Sequence, residues 1–324
     1  MMKLSVPIFG ISSALLLFSS HVSALPNSGT PTTFLGTLAR IGINNAISNT
    51  SAFSVAAEAS PNNIRLNGSF GWFIMEDQKL KLSAEYLLQA ISYSYFSGDT
   101  RQWVQQGDIS ADYRYALGEY TYLYNPQIDV KAFVSHAPGK SLRVDTGSFV
   151  NKSGVLTAFA DDKRIAGSTA EGISPGFILS PWDGGNVGVY LNYDNVNYNT
   201  DYVSSQNAKG FGGSASLNQA LADNIEAGVA LGIRKPFDSY TAHLTWLNVP
   251  FYGLWSVGVN GAYTSGKNTL PNTYSVGISV DFLMNQGCLS SETEKQEALN
   301  FINWISKPAV YMPQVLAISD ERVT

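Results

Sequence analysis

Nine ionisable side chains recur in one setting. Lys81, Glu85, Asp112, Arg114, Asp129, Lys131, Asp194, Glu226 and His243 all fall on the polar phase of segments whose intervening residues are largely apolar. A period of two sends successive side chains to opposite faces of a strand, so the nine share the polar faces of a sheet. On neighbouring strands, Asp112 and Arg114 would stand across a ladder from Asp129 and Lys131, with opposite charges in reach of each other. Around water, such a set makes a transverse field that sorts solutes by charge. Packed against one another, the same residues are salt-bridge struts. The sequence leaves both roles open.

Covalent chemistry has less support. His243 has Thr241 and Thr245 as same-face neighbours, but no Ser-rich motif nearby offers a nucleophile, and a triad also needs an orienting group and an oxyanion site. His136 sits beside Ala137-Pro138-Gly139. There is no G-x-S-x-G elbow. The Gly-rich piece at 210–213 lacks the Lys of a phosphate loop. Cys288 is the single cysteine, and two of the three histidines lie beyond residue 24. The expectation is a protein that is not an enzyme and has no metal or other cofactor. The net charge of −5 gives no basic footprint for nucleic acid.

Positioning these residues requires strands, and twelve segments between residues 51 and 282 show two-residue periodicity. The first, near 51–59, is weak. The second presents Leu66, Phe70, Trp72 and Ile74 to one face, and the third Leu80, Leu82, Tyr86 and Leu88. The sixth, about 163–179, has an ambiguous phase. The last alternates strictly, with Tyr274, Val276, Ile278, Val280 and Phe282 opposed to Ser275, Gly277, Ser279 and Asp281. Every second connection, such as 75–78, 124–127, 180–185, 221–224 and 249–253, is short. The interleaved ones include the long stretch 136–162. Aromatic residues gather near strand ends, among them Trp72, Tyr193, Trp246 and Trp255, as two interfacial girdles would require.

The N-terminus adds a location. Met1-Met2-Lys3, an apolar run to Phe18 and the small-x-small ending Val22-Ser23-Ala24 describe an export signal cleaved before Leu25. Beyond it no stretch is apolar for the roughly 18–20 residues a spanning helix needs, so any crossing must use strands closed into a barrel. Charged residues make only 14 % of the chain, against roughly 25 % in an average soluble domain.

With these features the chain resembles a bacterial outer-membrane β-barrel protein of the porin-like type. The resemblance implies an all-β, transmembrane, antiparallel up-and-down barrel of about 12 strands, surrounded by outer-membrane lipid and inserted by the barrel-assembly machinery. It implies passive passage of small hydrophilic solutes, with the nine polar-face residues lining the pore and both chain ends in the periplasm. The alternative is a surface-exposed structural or adhesion barrel with a plugged lumen and no transport, whose loop 136–162 meets a partner.

Two segments lie outside the expected barrel at 51–282. Residues 25–50 form a leader, in which 33–43 reads as a short amphipathic helix serving as a plug or as a disordered stretch. Barrels of this type usually end in an aromatic residue, yet Phe282 is followed by 42 more residues. In this periplasmic tail, residues 283–324, Ser291-Glu292-Thr293-Glu294 is a capping-box signature. Ala298, Phe301, Ile302 and Ile305 then make one apolar stripe at helical spacing, ended by Lys307-Pro308. An extended apolar segment follows to Ile318. The tail is expected either to pack under or inside the barrel mouth or to dock a periplasmic partner.

Overall fold

The computed structural model describes residues 31–48, 50–118, 125–203, 207–222, 224–249, 254–267, 269–284, 301–302, 304–307 and 314–324. The export signal, the capping box at 291–294 and Ala298 lie outside these residues. Among the described residues, thirteen strands close into one barrel. The wall begins with β1 (Thr32–Ser48), β2 (Ser51–Ser60), β3 (Asn63–Met75), β4 (Gln78–Tyr93), β5 (Thr100–Ala116) and β6 (Gln127–Ala137). Three further strands, β7 (Lys140–Ser141), β8 (Asp145–Val150) and β9 (Leu156–Ala166), then leave the wall. It resumes with β10 (Ser168–Trp182), β11 (Gly185–Tyr198), β12 (Asn207–Ala222), β13 (Ile225–Ile233), β14 (Phe237–Val249), β15 (Leu254–Gly266) and β16 (Asn272–Met284). The last strand, β17 (Ile318–Val323), joins β9 outside the wall.

Neighbouring wall strands are antiparallel except at the seam. There β1 and β16 run parallel, from Thr32 opposite Asn272 to Asn45 opposite Met284. An odd strand number forces this, because up-and-down order leaves the first and last strands pointing the same way. The expected twelve strands are therefore thirteen, and the addition is β1, where a leader with an amphipathic helix was anticipated. The cause is a bulge. Gly36 has φ +98°, and the β1–β16 register shifts between Phe34 and Thr37. The inward phase moves there from Thr33 and Leu35 to Leu38, Arg40 and Asn44. One inserted residue breaks the period of two and leaves apolar residues at a spacing that imitates a helix.

The parallel seam also corrects the expected placement of the wall's ends. β1 starts at the barrel end that carries the longer connections, such as 138–167, whereas β16 finishes at the end with the short turns 76–77 and 183–184. The β5–β6 connection at that end spans 117–126 rather than the short 124–127 expected. The segment of ambiguous phase divides between the projecting β9 and the wall strand β10. The long connection 138–167 is a β-hairpin in which β7 and β8 both pair with β9.

Polarity is inverted relative to a soluble barrel. Outward-facing Leu66, Ile109, Val134, Phe211, Leu231 and Ile278 are each at least half exposed. Inward-facing Asn67, Ser83, Asp112, Asp129, Asn192 and Asp194 are buried. Outward aromatic pairs stand near both rims: Phe34–Tyr274 (4.7 Å) and Tyr193–Phe211 (5.1 Å) at one, Trp255–Phe282 (5.4 Å) at the other. Strands about 4.8 Å apart and tilted about 40° place thirteen of them on a backbone cylinder of roughly 26 Å diameter. An α-helix with its side chains is about 10–12 Å across, so one fits inside without filling the lumen.

Candidate functional site

The inward face of the wall holds the charged residues singled out from sequence, and each has a partner. Lys81 Nζ lies 3.2 Å from Asp112. Arg114 bridges Asp112 (3.6 Å) and Asp129 (3.4 Å), and Lys131 reaches Asp129 at 3.5 Å. The register explains this strip of alternating sign, since Lys81 stands opposite Asp112 and Arg114 opposite Asp129. Elsewhere, Glu85 pairs with Arg65 at 3.1 Å and Asp194 holds Arg234 through two contacts. Glu226 lies 3.4 Å from His243.

These residues do not face an empty channel, because the tail lies among them. Residues 301, 302 and 304–306 are helical, with Phe301, Ile302, Trp304 and Ile305 buried against Ala52 and Phe73. Gly71 makes room for them, since a Cβ there would strike Ile305 and crowd Phe301. The last carbonyls of a helix have no partner within it and carry the negative end of its dipole. Here the wall supplies cations and a hydroxyl. Lys81 Nζ donates to the carbonyls of Trp304 (3.0 Å) and Lys307 (3.1 Å). Arg40 donates to that of Ser306 at 3.1 Å, and Ser69 to that of Ile305. Trp304 Nε1 donates to Asp112 at 3.1 Å, and its ring lies beneath Lys79, Lys81 and Arg114, 4.8–5.3 Å away. Lys307 reaches Glu226 at 3.2 Å.

Residues 314–318 continue toward the barrel end with the longer connections. The backbone N–H of Val315 donates to Gln89 (3.1 Å) and that of Leu316 to Gln106 (2.6 Å), while Ser168 donates to the Leu316 carbonyl. Their side chains complete two apolar clusters, with Leu87, Ile91 and Val104 on one side and Phe133, Val196 and Phe237 on the other. Each fully buried aliphatic side chain contributes about 1.5–3 kcal/mol. At the barrel mouth β17 adds to β9, from Ile318 opposite Ala166 to Val323 opposite Asp161. Asp320 accepts hydrogen bonds from the backbone N–H groups of Asp201 (2.8 Å) and Val203 (3.0 Å). On the projecting hairpin, the hydrogen-bonded Lys163 ammonium holds the Asp145 carboxyl below the usual carboxylate range.

The occupation is one-sided. Inward residues of β3, β4 and β5 next to the tail are largely buried. On β12 and β14, inward Ser214, Ser216, Thr241 and His243 are only half-buried. A cavity of ≈ 190 Å³ lies there, bordered by residues from β6 and β10–β14.

All nine sequence-derived residues thus lie on the inward face, and the Lys81–Asp112–Arg114–Asp129–Lys131 strip brings five of them together. Glu85, Asp194 and the Glu226–His243 pair stand in separate groups. Sequence reasoning missed Arg40, Arg65, Glu58 and Arg234 as ion-pair partners. Arg65 lies between outward Ile64 and Leu66 and was legible by alternation, whereas Arg40 was hidden by the Gly36 bulge. Among the described residues no three His, Cys, Asp or Glu side chains gather as a metal ion would require. Comparison of the chain with protein-family models and with curated proteins finds no match.

Proposed function

We propose that this protein is a β-barrel of the bacterial outer membrane, with its own C-terminal segment lodged in the lumen. It admits small hydrophilic solutes only along the flank the tail leaves free. The observation that carries the proposal is the polarity of a closed ring. Large apolar side chains are exposed on its outer face, and most of the wall's ionisable and hydroxyl side chains point inward, beside the apolar clusters that hold the tail. Backbone groups in hydrocarbon must be paired, and a closed ring pairs them. Outward Trp255–Phe282 and Tyr193–Phe211 suit the two interfaces with lipid headgroups. Phe282 lies two residues before the end of the last wall strand, where the barrel-assembly machinery would engage it.

The reading differs from free diffusion through an open porin because a 26 Å ring with a helix inside keeps only part of its cross-section. It calls for no catalysis. Planar-bilayer recordings test it. The full chain should give small, steady conductance steps, and a chain ending at Met284 should give much larger ones. Equal steps from both chains would refute it.

A second reading has its own observation. The tail ends by extending the sheet of the projecting hairpin, with Thr324 and Ala160 exchanging backbone hydrogen bonds of 2.8 and 2.9 Å. A barrel that displays this sheet as a surface scaffold would use the tail as a fixed strut, and would conduct in neither form.

A further inference from the structure

The free flank of the lumen has a composition of its own. Alongside the apolar Ala230 and Leu231, its cavity is bordered by five serine and threonine residues, among them Ser174, Ser214 and Ser216, and by Asn192. Gly232 lies between them, and a Cβ there would meet the Ser239 hydroxyl and narrow the space. Ser214 donates to Asn192 Oδ1 at 3.4 Å, which leaves the amide Nδ2 to find another acceptor. Asn192 is fully buried, and among the described residues neither its Nδ2 nor the Ser174 hydroxyl has a hydrogen-bond partner. Buried polar groups without partners are costly, and these two lie beside the cavity, where a bound molecule would satisfy them once the Asn192 and Ser174 side chains turn toward it.

Charge narrows the class of that ligand. Lys131 and Arg234 also border the cavity, but both are matched from behind. Lys131 lies 3.5 Å from Asp129 and 4.1 Å above the Tyr190 ring, and Arg234 holds Asp194 through two contacts. An entering anion would have to compete with carboxylates already in place. Hydroxyls both donate and accept, so an array of them suits a ligand with the same property. A cavity of ≈ 190 Å³ is far larger than a single water needs and has room for a small organic molecule.

We infer that the flank between β10 and β14 is a binding subsite for a small neutral polyhydroxylated molecule of monosaccharide size. The inference rests on the proposed lumen and names the solute class it favours. It is independent of whether the barrel conducts.

Isothermal titration calorimetry on the detergent-folded full chain tests it, with D-glucose, sorbitol and inorganic phosphate as probes. Glucose or sorbitol should bind saturably in the millimolar range and phosphate should not. Asn192→Leu should weaken binding about tenfold, the worth of one hydrogen bond to a buried group. Ser216→Leu, which fills the cavity from the neighbouring strand, should abolish it and serves where Asn192→Leu does not fold. Phosphate binding in place of the polyols, no binding of either polyol, or binding unchanged by Ser216→Leu would overturn the assignment. Calorimetry in micelles needs no conductance, so polyol binding without channel activity would sink the proposed function and leave this subsite standing.

Discussion

The ammonium of Lys81, on the wall, lies 3.0 Å from the backbone carbonyl of Trp304, on the tail, and 3.2 Å from the carboxylate of Asp112. Asp112 in turn accepts the indole N–H of the same Trp304. One buried ion pair thus holds both the end of the tail helix and its largest side chain. Removing one member of such a pair leaves a desolvated charge and typically costs about 3–5 kcal/mol. Lys81→Met should therefore lower stability to urea unfolding in lipid by that order. Adding Asp112→Asn should recover part of the loss, and the double-mutant cycle gives the coupling directly. Strict additivity would show that the pair does not work as a unit.

Gly71 should be the position most sensitive to a gain of volume, because its missing Cβ is the space that Ile305 and Phe301 occupy. Gly71→Val suits a strand by propensity, so the wall should still close while the tail is displaced. Limited proteolysis should then cleave the tail much faster than in the parent. Gly68→Val is the control, since nothing lies within 4 Å of a Cβ there.

Leu316 tests the hold at the other end of the lumen. It is fully buried in the cluster with Phe133, Val196 and Phe237. Leu316→Asp places an unpaired charge in that cluster, a change of about 4 kcal/mol or more. β17 should detach from β9, and carboxypeptidase should then trim the C-terminus that the folded chain protects.

The membrane assignment predicts opposite tolerances on the two faces of the wall. Outward Val259 lies near the middle of β15 and is 51 % exposed. Val259→Lys should cost about 2–4 kcal/mol when the barrel folds into vesicles, as a cation at mid-depth in lipid does. Ser216→Lys, pointing into the free flank, should be nearly neutral. In a soluble barrel the exposed Val259 would accept the lysine without cost.

Much of the wall was legible because most of its strands obey one rule without interruption. Residues 274–282 alternate strictly, 225–233 nearly so, and the charged residues could be assigned to one face before any partner was known. What escaped had a physical cause in each case. The Gly36 bulge shifted the phase of β1 and disguised it as a helix, and with it went the thirteenth strand, the parallel seam and the role of Arg40. Residues 163–166 belong to a hairpin and 168–182 to the wall, so no single phase could describe 163–179. Of the expected tail helix, residues 301–302 and 304–306 are helical. Their place in the lumen was not legible, because the groups that hold them are backbone carbonyls, which every sequence carries alike.

The central claim is that the tail fills one side of the lumen and leaves the other open. Substituted-cysteine labelling in vesicles tests this most directly, with Cys288→Ser as background and a small charged thiol reagent as probe. Ser69→Cys lies against the tail at Ile305, whereas Ser216→Cys borders the free cavity. Labelling should be fast at 216 and much slower at 69. Removing residues 285–324 should bring position 69 up to the rate of 216. Equal rates in the full chain, or a rate at 69 unchanged by the truncation, would contradict it.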